Sequence, residues 1–286
     1  MSIIEIKNEQ LTVGINTRGA ELAYINGGGG TEFLWNGDAR VWSYRAPILF
    51  PICGGLKDDS FLYGGKKYTL KKHGFARISE FSGKAISRSS AEFVLESNDE
   101  TRLAFPFDFR FTVTFSLENN RLCVKNTVEN LSSGEMIFSV GAHEGYACPE
   151  GIEDYEIVFD TPQTLDSFLL DGNLLKNESV RIIENSTRLP LKYEYFAIDA
   201  LVFKNVGFNR ATLAHKSGKR KVTLDFDRAD YFLLWTKPGA NYICLEPWCG
   251  IQDSVDASTL LCEKEGTVKL EKGESFTFNH SLECFE

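Results

Sequence analysis

The sequence predicts an all-β protein, a large antiparallel β-sandwich with few, short helices. Three observations predict it. Apolar and polar residues alternate with a period of two in one segment after another, Gly- and Asp-containing turns join those segments, and no stretch of a dozen residues keeps a clean 3.6-residue period. Repeated hairpin signals without alternating helical segments give packed antiparallel sheets rather than a parallel α/β core.

The elements follow in chain order. Leu11, Val13 and Ile15 alternate near the start. Leu22-Ala23-Tyr24-Ile25 and Glu32-Phe33-Leu34-Trp35 flank Gly27 to Gly30, which is read as a hairpin loop because a phosphate-cradling loop would run into a helix through Gly-Lys-Ser/Thr. Gly64-Gly65 joins Phe61-Leu62-Tyr63 to Lys66-Lys67-Tyr68 as a second hairpin. Ala91 to Leu95 is a strand. Phe111, Val113, Phe115 and Leu117 alternate with Thr112, Thr114 and Ser116, and Leu122, Val124, Asn126 and Val128 resume the pattern after a turn at 118–121. Asp171-Gly172 is a turn between leucine runs, Val222 to Phe226 and Tyr231 to Thr236 are strands, and Lys272-Gly273 precedes a strand through Phe276 and Phe278. No Pro/Ser/Gly-rich linker and no internal repeat divides the chain, so residues 1–286 are read as one domain.

Composition narrows the function. Hydrophobic residues make up 43% and charged residues 25% of 286, which is average for a globular protein with a large core and excludes a disordered chain. The 31 basic residues are scattered and outnumbered by 40 acidic ones, so the net charge of −9 offers no footprint for nucleic acid or an anionic membrane. The longest uncharged run, Ala46 to Leu56, has 11 residues and contains two prolines and two glycines, too short and broken to span a membrane as a helix. Glu5 and Lys7 interrupt what would be the core of an export signal, so the expected location is cytoplasmic. Seven cysteines, an odd number without a C-x-x-C pair or a neighbouring His, predict reduced, mostly buried thiols and no metal site.

Four histidines can be weighed singly. His215, beside the basic turn 217–221, and His280, near the end of the chain, are read as exposed strand-end or turn residues. His143 closes a strand-like segment in which Phe138, Val140 and Ala142 would enter one layer while Ser139, Gly141 and His143 line the other face, leaving a hollow beside the imidazole. The segment 241–248 places Tyr242, Cys244 and Glu246 on one face, and a carboxylate among Leu, Pro and Trp is desolvated, which raises its pKa and suits it to act as a base. Glu246 as an ordinary strand-end carboxylate stands beside that reading, and Trp248 reads equally as a core aromatic or as a stacking platform for a sugar ring.

A further segment, His73-Gly74-Phe75-Ala76-Arg77, joins these. With Trp35-Asn36-Gly37-Asp38, Ala46-Pro47-Ile48-Leu49-Phe50-Pro51-Ile52, Gly141-Ala142-His143 and Leu245-Glu246-Pro247-Trp248 in this order, the whole chain resembles the aldose 1-epimerase (galactose mutarotase-like) superfamily, in particular its LacX-like branch. The resemblance implies a β-supersandwich with an open sugar-binding cleft, a small carbohydrate as substrate and no cofactor. It implies Glu246 as general base at the anomeric hydroxyl and His143 as general acid at the ring oxygen, placed opposite each other across the cleft. His73, Arg77, Asp199 and Trp248 are implied as substrate-binding residues, in a monomer or homodimer. Interconverting anomers takes one base and one acid, which agrees with that pair.

Two departures stand out. Members of this branch commonly read Phe-Pro-x-x-Gly-Arg, and the arginine is Gly55 here, so Arg77, Arg45 or Lys57 would have to supply the guanidinium or ammonium in its place. Glu144 follows His143 where the family has proline, and its charge is expected to hold a proton on His143 more tightly. A hexose-6-phosphate 1-epimerase and a non-catalytic sugar-binding protein on the same fold remain as alternatives. A glycosidase needs two carboxylates flanking the bond; Asp253 could partner Glu246 but fits a loop cap equally well.

Overall fold

A computed structural model describes residues 2–285. Its largest element is a nine-stranded antiparallel sheet, in spatial order Leu174–Pro190, Tyr155–Asp171, Arg210–His215, Lys221–Phe226, Ser275–Phe285, Arg121–Asn130, Phe109–Glu118, Ser90–Glu96 and Ser82–Ser87. The period-two pattern builds its inner face: Phe111, Val113, Phe115, Leu122, Val124, Leu224, Phe278 and Leu282 are all buried in one core. The hairpin expected around residues 118–121 pairs Glu118 with Arg121. Only one short α-helix, Asp99–Ala104, occurs among the described residues, opened by a capping box in which Asn98 and Thr101 bond each other's backbone. No helix of the described residues is long and apolar enough to cross a membrane.

A second, smaller sheet packs on that core. Tyr242–Cys249 lies at its centre, between Tyr231–Trp235, which pairs onward with Leu201–Lys204, and the two short strands Val140–Gly141 and Glu144–Ala147. Ile243 and Leu245 face the shared core. The opposite face, carrying Tyr242, Cys244, Glu246 and Trp248, is buried too, so the strand is covered on both sides rather than half exposed. Its cover comes from the irregular segment 35–47 and from the long hairpin Tyr155–Asp171/Leu174–Pro190.

That hairpin begins in the nine-stranded sheet, where Tyr155 to Val158 pair with Thr212 to His215. Register shifts between Val158 and Asp166 bend it away. Its distal half then leans on the second sheet, Ser167 Oγ accepting from Val202 N at 2.9 Å. The turn expected at Asp171-Gly172 forms its tip.

The thiols agree with their expected state. All seven are free and five are buried, Cys262 being exposed and Cys123 half-buried. His280 does not agree: it is buried between the sheets, where its Nε2 lies 2.8 Å from Glu144 Oε1. His215 sits half-buried at a strand end, its ring edge-on to Tyr155.

Candidate active site

Strand register creates the site. Gly141 pairs with Trp248 and Glu144 with Leu245, so Ala142 and His143 stand opposite Pro247 and Glu246. Pro247 has no N–H to give the ladder, and its carbonyl instead accepts from Ala142 N at 3.1 Å. His143 and Glu246 are therefore cross-strand neighbours in the floor of a cleft, with His143 Nε2 3.4 Å from Glu246 Oε2. This corrects the expected placement on opposite walls.

The cleft has a volume of about 420 Å³, within the range of small-molecule sites. Glu246 is 1% and His143 7% exposed. Burial pushes the Glu246 carboxyl well above the ordinary carboxylate range. Burial, reinforced by the charges of Lys72 and Arg77, drives the His143 imidazole down to about 3. Both shifts favour an uncharged pair holding one proton between them. Trp42 stacks on the His143 ring at 5.3 Å, and Trp235 meets it edge-on at 5.9 Å.

His73 reaches the same cleft from a strained turn. It has φ +69° and is followed by Gly74 at φ +68°, where a Cβ would stand 2.3 Å from the Phe50 carbonyl oxygen; only glycine fits. His73 Nδ1 accepts from Gly54 N at 3.1 Å, which leaves the proton of the neutral ring on Nε2. Burial lowers its pKa well below the ordinary imidazole value, so it is a neutral hydrogen-bond donor.

Arg77, Asp199 and Trp248 also line the cleft. Arg77 lies over the Tyr44 ring, donates through Nη2 to the Lys72 carbonyl at 2.9 Å, and has a buried, unpartnered Nε. Asp199 stands 3.9 Å from Lys72 Nζ. Trp248 is sunk in the floor, its Nε1 donating to the Ala142 carbonyl at 3.1 Å and its ring edge-on to His73. The hollow expected beside the His143 imidazole is the cleft itself, while the space over Gly141 is filled by the Trp248 ring, since a Cβ there would lie 2.7 Å from Trp248 Cδ1.

Of the two departures, the one at Glu144 resolves differently from expectation. Glu144 points into the inter-sheet core toward His280 and makes no contact with His143, because successive residues of a strand face opposite ways. Of the three cations expected to stand in for an arginine at 55, Arg45 donates to the Ala23 carbonyl and Lys57 Nζ to the Val255 carbonyl at 2.8 Å, away from the cleft, while Arg77 lines it. Asp253 is a loop anchor: buried, it pairs with Lys264 and accepts from Lys57 N at 2.8 Å.

The sequence carries no sign of Trp42, Trp235, Asn173 and Gln252, and offers Lys72 only as a lysine near Arg77 in the hexose-6-phosphate reading; all five line the cleft. Among the described residues, the one group of three or more His, Cys, Asp or Glu side chains close enough to share an ion is His143, Cys244 and Glu246, with donor atoms within 4.8 Å.

The aldose 1-epimerase family model matches residues 2–283. The chain belongs to the aldose 1-epimerase family. It is 31% identical over 281 residues to the plasmid-encoded protein LacX of Lactococcus lactis subsp. lactis, covering 93% of this chain and 94% of that one. Two solved structures are closely similar. A galactose mutarotase related enzyme from Lactobacillus acidophilus has a TM-score of 0.94 at 32% identity, covering 100% of this chain and 98% of the other. A galactose mutarotase-like protein from Lactobacillus casei has a TM-score of 0.93 at 29% identity, covering 99% and 100%. The aldose 1-epimerase fold thus extends over the whole chain, with the His143–Glu246 pair in its cleft.

Proposed function

We propose that this protein is an aldose 1-epimerase that interconverts the α and β anomers of a neutral aldohexose. The observation that carries the reading is the pair His143 and Glu246, 3.4 Å apart in the floor of a polar, aromatic-walled cleft. The empty pair holds one proton. Moving it from Glu246 to His143 gives the carboxylate and imidazolium from which reaction starts, and sugar hydroxyls bonded to the carboxylate favour that shift. Glu246 then takes the proton of the anomeric hydroxyl, a carbonyl forms at C1 as the C1–ring-oxygen bond breaks, and His143 protonates the departing ring oxygen. After rotation about C1–C2 the ring hydroxyl attacks the other face of the aldehyde, and both protons return. His73 Nε2–H, Arg77 and Asp199 hold sugar hydroxyls, and Trp42 offers a ring face beside His143.

Polarimetry of freshly dissolved α-D-glucose and α-D-galactose tests the reading. A positioned acid or base contributes roughly 100- to 10,000-fold, so Glu246→Gln and His143→Asn should each slow anomerisation by about that factor while sugar binding survives. Unchanged rates in both variants would sink the assignment. A wild type that binds aldoses without accelerating them would make the protein a sugar-binding member of the family.

A hexose 6-phosphate is the second substrate reading, favoured by Lys72 and Arg77 on one wall. Neutral sugars should nevertheless be handled at least as well, because Arg45 and Lys57 do not line the cleft and its remaining cation, Lys237, is bonded to the Val41 carbonyl. Glucose 6-phosphate outpacing glucose many-fold, with Arg77→Ala removing only that preference, would reverse the substrate class.

A further inference from the structure

Position 55 is a glycine that faces the tip of the long hairpin. A Cβ built on Gly55 would lie 3.0 Å from the Cβ of Asn173 at that tip, tighter than an ordinary contact, so a side chain at 55 would press on Asn173 where it meets the cleft. The tip is tied there. Leu175 N donates to the Asp253 carbonyl and Val255 N to the Leu175 carbonyl, both at 2.9 Å, and Asp253 N donates to the Gly55 carbonyl at 2.9 Å. Leu175 is fully buried with Trp248 and Ile251, and the buried Asp253–Lys264 pair holds the loop that receives it. Three segments distant in sequence thus form one rigid corner.

Gln252 belongs to the same corner. It is 6% exposed, lines the cleft beside Asn173, and its buried Oε1 has no hydrogen-bond partner. It packs on Gly54, the residue whose N–H fixes the His73 ring. A buried carboxamide oxygen without a partner is costly unless a ligand or a small rearrangement satisfies it. The corner's lysines are engaged elsewhere, Lys264 with Asp253 and Lys57 with the Val255 carbonyl, and neither lines the cleft; carboxamides, which both donate and accept, match hydroxyl groups rather than phosphate.

We infer that Asn173 and Gln252 form a hydroxyl-reading subsite of two neutral carboxamides next to His73, which makes these two residues determinants of specificity for an uncharged sugar. The inference rests on the sugar-binding reading of the cleft, not on its catalysis.

The test measures kcat, KM and calorimetric affinity for one aldohexose and each of its monodeoxy derivatives. Asn173→Ala and Gln252→Leu should each raise KM and the dissociation constant about three- to tenfold, the worth of one neutral hydrogen bond, with a smaller change in kcat. The loss should vanish for the one derivative that lacks the hydroxyl being read. Gly55→Ala should reproduce the Asn173→Ala defect and add nothing on an Asn173→Gly background, as expected of two groups sharing one space. Equal losses for every derivative, or a Gly55→Ala protein with unaltered KM, would overturn the subsite. Because affinity alone reveals the discrimination, a wild type without mutarotase activity would fail the catalytic reading while leaving this one intact.

Discussion

At the scale of single residues, the cleft shows how burial sets protonation. His143 and Glu246 carry one proton between them, and His143 keeps its neutral form down to about pH 3. The free protein's kcat/KM should therefore stay level through mild acid, where an ordinary imidazole would charge, and decline on the alkaline side as the Glu246 carboxyl loses its raised proton. A pH–rate profile with an acid limb centred near an ordinary imidazole value would contradict this. The same shift predicts a stability effect. Unfolded Glu246 releases its proton in the ordinary carboxylate range whereas the folded carboxyl keeps it, so burying Glu246 costs progressively more as pH rises toward the folded value. Glu246→Gln removes that cost. Its melting temperature should exceed the wild type's by a margin that widens as pH rises above the ordinary carboxylate range.

At the scale of elements, the strand bearing His143 has two faces with separate work. His143 serves the cleft, while Glu144, one residue on, reaches through the core to His280 on Ser275–Phe285 and so ties the second sheet to the nine-stranded one. Both side chains are buried, and removing one leaves the other without its partner. Glu144→Ala should cost about 1–3 kcal/mol in urea denaturation. Replacing both by leucine should recover most of that loss, since two matched apolar groups leave nothing unpaired. The pattern Phe276, Phe278, His280, Leu282, Cys284 already puts His280 on the inward face of its strand; what the sequence did not contain was any sign of the carboxylate waiting 136 residues earlier. The long hairpin is likewise an ordinary two-strand signal whose docking onto the cleft depends on Leu175 and Asp253.

At the scale of the whole molecule, the order of the sheets predicts one cooperative unit. The strand Ser275–Phe285, last in the chain, lies between Lys221–Phe226 and Arg121–Asn130 in the middle of the nine-stranded sheet. Truncation after Glu274 would leave two new strand edges and an open core, so the shortened chain should not fold; a native-like circular dichroism spectrum would refute this. Trp42, Trp235 and Trp248 line the cleft and Trp35 packs on Tyr242 beside it, so tryptophan fluorescence reports on the second sheet. Far-ultraviolet circular dichroism reports mainly on the larger one. The two signals should fall together in urea, as a single two-state domain requires, and separate midpoints would divide the chain.

The sequence by itself determined the antiparallel β class, the main hairpins and the buried thiols, and its family resemblance singled out His73, Arg77, His143, Asp199, Glu246 and Trp248, which the fold brings to one cleft. These were legible because side-chain alternation is a local consequence of strand geometry and because the motifs are short, contiguous words. Only the tertiary structure decided that His143 and Glu246 are cross-strand neighbours, that Glu144 turns away to His280, that Trp248 fills the space beside Gly141, and that Asn173 stands over Gly55. Each of these is set by the register and docking of strands far apart in sequence. A strand's own residues tell which of them share a face, but which partner lies opposite is fixed by long-range packing, and that carries no local signature.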